Sequence, residues 1–208
     1  MRILVVSEGK HELSGALENL LKRLGGVSAY LEFDRVSNNK IHAVHGKGQG
    51  YFKRAVRWLK EAEERGANAL ILLIDEDGRS ERIREIRDAQ DYNQSQLARA
   101  MGVAIRMFDA WMLADEKALT EILCYNVNRQ PDPETIANPK QVCADLLADS
   151  DNRISQSEMY ARVSCNINID ILCDRCQSGF KPFATHVEKS FRRSLKDVRL
   201  PHRGHIFR

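Results

Sequence analysis

The chain has 208 residues, 43% hydrophobic and 29% charged, with a formal net charge of +3 at neutral pH. These proportions are those of a soluble globular protein, one large domain or one domain with an appendage, long enough to bury a full core. No stretch approaches the roughly 20 apolar residues that span a bilayer, which excludes an integral membrane helix and predicts no membrane partner.

"RILVV", residues 2–6, is a short apolar run rich in β-branched residues, as a strand buried on both faces of a parallel sheet requires. Its apolar core of about five residues is too short for a signal peptide, so a cytoplasmic location is expected. Leu13, Ala16, Leu17, Leu20, Leu21 and Leu24 then recur at helical spacing until Gly25-Gly26 stops them. "SAYLEF" (28–33) reads as a second strand and "YFKRAVRWLKEAEERG" (51–66) as an amphipathic helix. "ALILLID" (69–75) is a third buried strand, "RSERIREIRDAQ" (79–90) a charged helix, and "GVAIRMF" (102–108) a fourth strand or its entry into a helix. Alternating strands and helices predict right-handed crossovers and a parallel sheet. Beyond residue 108 the pattern turns helical: "DAWMLADEKALTEIL" (109–123), then a Pro-rich loop, "PKQVCADLLADS" (139–150) and "FKPFATHVEKSFRRSL" (180–195). The expected organisation is an α/β core over 1–128 and a helical C-terminal extension over 129–208, packed on the core.

Two strands end in acids. Glu8 follows the first, and Asp75 and Asp77 stand at and just past the third. In an open parallel sheet, ligands bind beyond the carboxyl ends of the strands, and strands one and three are often neighbours. Glu8, Asp75 and Asp77 would then form one cluster whose mutual repulsion calls for compensation. A hard divalent cation, Mg²⁺ or Mn²⁺, suits oxygen ligands and phosphate substrates. Alternation along an extended strand would point Asp75 and Asp77 the same way. For each acid taken alone, capping of the following helix explains it as well.

A strand ending in Glu-Gly, a helix, and a later strand ending in Asp-x-Asp resemble the TOPRIM domain of topoisomerases, primases and OLD-type nucleases. The pieces here are "VVSEGKHE" and "LLIDEDG". "HAVHGKGQGYFKR", "VAIRMFDAWMLADEKAL" and "CDRCQSGFKPFATHVE" resemble further elements of a TOPRIM-like bacterial family of unknown function, so the likeness covers most of the chain. The resemblance implies a TOPRIM-like, Rossmann-like mostly parallel sheet flanked by helices. It implies Glu8 as general acid/base or ligand, Asp75 and Asp77 as the metal pair, and Asp109 and Asp115 as further acids. Asp109 stands where the family has glutamate, and its shorter carboxylate reaches less far. The activity implied is metal-dependent cleavage of phosphodiester bonds in RNA or DNA, in a defence-type system with an ATPase encoded nearby. A non-catalytic nucleic-acid-binding subunit of such an ATPase is the alternative, and a small-molecule phosphatase or nucleotide-acting enzyme a third reading.

Basic residues support a polyanion partner. Residues 40–60 hold Lys40, Lys47, Lys53, Arg54, Arg57 and Lys60 without an acid, and the segment 189–208 holds seven Lys and Arg against Asp197. Lys10, Lys47, Arg54 and Arg79 are the candidate phosphate contacts. "HGKGQG" suits a phosphate cradle ahead of a helix, although it lacks the P-loop pattern. Each basic segment reads equally as a solvated face, and Asp115 equally as the cap of a helix beginning at Glu116. The five cysteines, Cys124, Cys143, Cys165, Cys173 and Cys176, are expected reduced. Cys173 and Cys176 have CxxC spacing, but a zinc site would need Cys165 and His186 as well, and buried thiols are the simpler expectation. Trp58 and Trp111 are expected in the core.

Overall fold

The computed structural model describes residues 1–10, 12–26, 28–41 and 50–199. Four strands, β1 (Arg2–Ser7), β2 (Tyr30–Arg35), β3 (Ala69–Asp75) and β4 (Ala98–Ala104), form one sheet in the order β2-β1-β3-β4. Every pairing is parallel, and β1 lies beside β3 with Ser7 opposite Leu73. The expected α/β, Rossmann-like architecture is therefore present. β1 and β3 occupy the centre because their apolar runs tolerate burial on both faces. β2 lies at the edge and carries Glu32, Asp34 and Arg35, charges that suit an edge and deter pairing with another chain.

Side chains alternate between two cores. Leu4, Val6, Leu70, Leu72 and Ile74 face one way, onto α2 (Tyr51–Glu64) and α3 (Glu81–Gln90) through Trp58, Leu59 and Ile86. Ile3, Val5, Ile71 and Leu73 face the other way, onto α1 (Ala16–Leu21) and the C-terminal helices. Those helices are α4 (Asp109–Met112), α5 (Glu116–Leu123), α6 (Pro139–Ala148), α7 (Gln156–Asn166), α8 (Ile169–Arg175) and α9 (Phe180–Arg199).

The helical segment thus supplies one layer of the sandwich. Trp111 rests edge-on against Phe180, with ring centroids 5.0 Å apart, and nearly stacks on Phe183 at 5.7 Å. Phe180 and Phe183 are fully buried, each burial contributing about 1.5–3 kcal/mol. Gly102 of β4 permits that approach: a Cβ there would stand 2.5 Å from the Phe183 ring. α9 can therefore lie directly on β4.

The run 102–108 is the end of a strand and its entry into a helix, as expected: β4 ends at Ala104, and Ile105 to Phe108 turn the chain into α4. Two expectations are corrected. The single helix expected over 109–123 is two, because Asp115 adopts extended backbone (φ −124°, ψ 99°) and caps α5. α7 and α8 were not expected; their caps, Ser155 and Asn168, sit in polar sequence, and α8 buries only Leu172.

Candidate active site

The parallel pairing of β1 with β3 brings Glu8 to Asp75 at the carboxyl end of the sheet. The Asp75 backbone N–H donates to Glu8 Oε2 at 3.0 Å, and the Tyr51 hydroxyl, from the first residue of α2, donates to Glu8 Oε1. Asp75 Oδ1 accepts from the Phe108 N–H at 2.8 Å, which ties the end of β3 to the turn after β4. Arg82, buried near the start of α3, gathers the group. Its Nη1 donates to the Asp75 carbonyl at 2.6 Å and to Asp77 Oδ2 at 2.9 Å, and lies 3.6 Å from Glu8 Oε2. Glu8, Asp75 and Asp77 are thus brought together as the strand-end argument requires.

The alternation argument itself does not hold. β3 ends at Asp75, and Asp77 lies in a turn with φ 51°, so the two do not share a strand face. The Asp77 N–H donates to the carbonyl of Arg106, which is also left-handed at φ 62°. Two adjoining non-glycine residues in this region, on the loops after β3 and β4, concentrate strain at the rim of the cluster, where functional sites tend to hold it.

A fourth acid belongs here. Glu12 is buried, 3% exposed, and its carboxylate folds back over Gly9 so closely that a Cβ on Gly9 would meet Glu12 Oε2 at 2.0 Å. The sequence reading overlooked it, although Glu12 closes the same "SEGKHE" run. Burial, with the Asp109 and Glu8 charges adding to it, pushes the Glu12 carboxyl up to about 7. Burial, then the charge of Glu12 and those of Glu8 and Asp77, pushes Asp75 up to about 8 against the opposing Phe108 N–H. Burial and the Glu8 carboxylate together raise the Tyr51 hydroxyl to about 12, keeping it a donor. The cluster thus carries more negative charge than Arg82 compensates.

The other candidates separate. Asp109 begins α4, is buried, and accepts from the Tyr160 hydroxyl of α7, and its charge is felt at Glu12. Asp115 is corrected to a structural role. Its Oδ1 accepts from the N–H groups of Lys117 at 3.0 Å and Ala118 at 3.3 Å, and its Oδ2 from Asn168 N–H at 2.9 Å. Both oxygens are committed to the starts of α5 and α8. Lys10 and Arg79 are exposed near the cluster in sequence. Arg54 and Arg82 lie over the Tyr51 ring at 4.8 and 4.6 Å, which places Arg54 beside the site. Lys47, residues 45–49 of the "HGKGQG" loop, and His42 with His45, a pair of metal-like spacing, lie outside the described residues. Cys176 is buried, Cys173 partly buried and Cys165 exposed, all as free thiols.

The donors around Asp75 are all hard oxygens carrying surplus charge, which is the chemistry that Mg²⁺ or Mn²⁺ takes. As the side chains stand, however, no group of three or more His, Cys, Asp or Glu among the described residues is arranged to hold an ion. Arg82 occupies Asp77 and Glu8 instead. The fit is therefore one of chemistry and place, and would need Asp77 to turn from Arg82. No family model, curated protein or solved structure matches the chain. Among the described residues no helix is long and apolar enough to cross a membrane.

Proposed function

We propose that this protein is a divalent-metal-dependent phosphodiesterase acting on nucleic acid, with a TOPRIM-like core. The observation that carries the reading is the convergence of Glu8, Glu12, Asp75 and Asp77 at the carboxyl end of a parallel sheet, with Asp75 and Glu12 held far above ordinary carboxylate pKa values. Asp75 and Asp77, with Glu8, would hold Mg²⁺ or Mn²⁺, and Glu12 would add charge behind them. Such an ion neutralises phosphodiester charge and acidifies a bound water. Glu8, steadied by the Tyr51 hydroxyl and the Asp75 N–H, would serve either as the third ligand or, alternatively, to take or give a proton at its carboxylate. Lys10, Lys47, Arg54 and Arg79 would meet the phosphate backbone of RNA or DNA.

One observation favours a second reading, a non-catalytic nucleic-acid-binding subunit of an ATPase encoded nearby. Arg82 already satisfies Asp77 and approaches Glu8, as a permanent internal cation would. A cleavage panel decides between them: plasmid, single-stranded DNA, duplex DNA and tRNA with Mg²⁺ or Mn²⁺, wild type against Asp77→Asn. Cleavage by the wild type and a loss of about 100-fold or more in the variant is the expected result. Silence from both, together with no Mn²⁺-dependent rise in melting temperature, would leave the subunit reading standing.

A further inference from the structure

A second charged site lies at the far end of the sheet. β4 begins at Ala98, so its first residues stand roughly 20 Å along the strand from the acid cluster at a rise of about 3.3 Å per residue. There the loop after α3, the start of β4 and the middle of α9 line an open cavity of about 340 Å³. Arg99, Lys189 and Arg193 line it with His186 and Tyr92, and Asp91 is the acid in its wall.

The arrangement is built. The Arg99 carbonyl accepts from Ser190 Oγ at 2.6 Å, which fixes α9 against β4 at the cavity floor. Arg99 Nη2 donates to the Ser95 carbonyl and Arg193 Nη2 to the Gln96 carbonyl at 3.2 Å, so two guanidiniums are anchored on one loop. Arg99 Nη1 is buried with no hydrogen-bond partner among the described residues. A buried guanidinium N–H without an acceptor is costly, so the fold holds Arg99 here at a loss of stability. Burial and the neighbouring Arg193 charge press the Arg99 guanidinium below its ordinary pKa, against the weaker pull of Glu63 and Asp91. Glu63 is itself engaged by Ser95 Oγ at 2.6 Å. The cations are thus held together by the fold without enough negative charge to match them.

We propose that this cavity binds a phosphate group, with Arg99 and Arg193 as the fork and Lys189 as the third cation. Guanidinium pairs suit tetrahedral oxyanions because their planar N–H donors bond two oxygens at once. The volume exceeds what one inorganic phosphate fills and falls at the low end for a small-molecule pocket, so the group enters on a larger body. A free nucleotide and a nucleic-acid strand are the two sources of that group that the test separates. The inference does not depend on the acid cluster being catalytic.

The test titrates the full chain with inorganic phosphate, adenosine 5′-monophosphate and a short 5′-phosphorylated single-stranded oligonucleotide, followed by calorimetry at low salt. Saturable phosphate binding is expected. Arg193→Ala and Lys189→Ala, both on the surface of α9, should each weaken it about tenfold, as loss of a charged hydrogen bond does, with unchanged circular dichroism and melting temperature. Tighter binding of the mononucleotide than of the oligonucleotide assigns the site to a free nucleotide; the reverse order assigns it to a strand. Absence of saturable binding to all three probes overturns the proposal. So does binding that Arg193→Ala and Lys189→Ala leave unchanged. Asp77→Asn should bind phosphate as the wild type does, which keeps this outcome separate from that of the cleavage panel.

Discussion

Two charged regions of this molecule use the same residue types to opposite effect. Along the β2 edge, Arg65 bonds Glu61 at 2.6 Å, Glu32 at 2.9 Å and Asp34 at 3.0 Å, while Arg2 bonds Glu32 from the other side. Each acid there has a cation, and the Glu32 pKa falls, chiefly through its bond to Arg2. At the carboxyl end of β1 and β3, Arg82 serves the carboxylates of Asp77 and Glu8, and the pKa values of Glu12 and Asp75 rise. The first region is a brace. The second is charge held against its own repulsion, which a fold retains only where something else profits from it.

Neutralising single acids tests that contrast. The largest effect expected is on activity. Asp77→Asn, and equally Glu8→Gln, should lower cleavage by about 100-fold or more while leaving the circular dichroism spectrum unchanged.

Stability should move the other way at Asp75. Its carboxyl pKa is raised in the folded state, so its stabilising share is full below the unfolded value near 4 and is lost as pH rises through about 8. Glu12 acts likewise up to about 7. Metal-free wild type should therefore melt progressively lower from pH 5 to pH 8.5. Asp75→Asn should flatten that slope and, at pH 8, gain about 2 kcal/mol, a rise of about 4–8 °C in Tm, because the amide still accepts from Phe108 N–H. Calorimetric scans across that range check both. A variant that melts lower at pH 8 would break the contrast.

Asp115 sharpens it from the opposite side, since its charge is matched by helix N-termini. Asp115→Ala leaves the Lys117, Ala118 and Asn168 N–H groups without their acceptor in a buried place and should cost about 2 kcal/mol in urea unfolding. The smallest effect is expected at the β2 edge. Arg65 is partly exposed, and after discounting for solvent screening Arg65→Ala should cost about 1 kcal/mol, reduced further by salt. A larger loss there than at Asp115 would show the brace to be more than an edge device.

The sequence was most legible where one rule governs the residues. "ALILLID" became β3 over its full length, because a continuous apolar run of that size fits only a strand buried on both faces. Glu8 and Asp75 were legible for the same reason: they end such strands, and parallel topology collects strand ends. Glu12 was not legible, because its place depends on the chain turning back over Gly9, which no spacing announces. Asp109 and Asp115 look alike in sequence, yet one meets Tyr160 and the other the backbone of Asn168, partners 51 and 53 residues away. The single helix expected over 109–123 failed because Asp115 takes extended backbone and caps α5, the alternative its place before Glu116 also offered.

By itself, then, the sequence determined the alternation of buried strands and amphipathic helices and the acids at the strand ends, because hydrophobic period and chain punctuation are local quantities. Only the tertiary structure decided which carboxylates crowd together, which are braced by arginine and which cap helices. It alone set the Arg99 and Arg193 guanidiniums side by side. Charge acts through space and burial, and both are fixed only when distant segments pack.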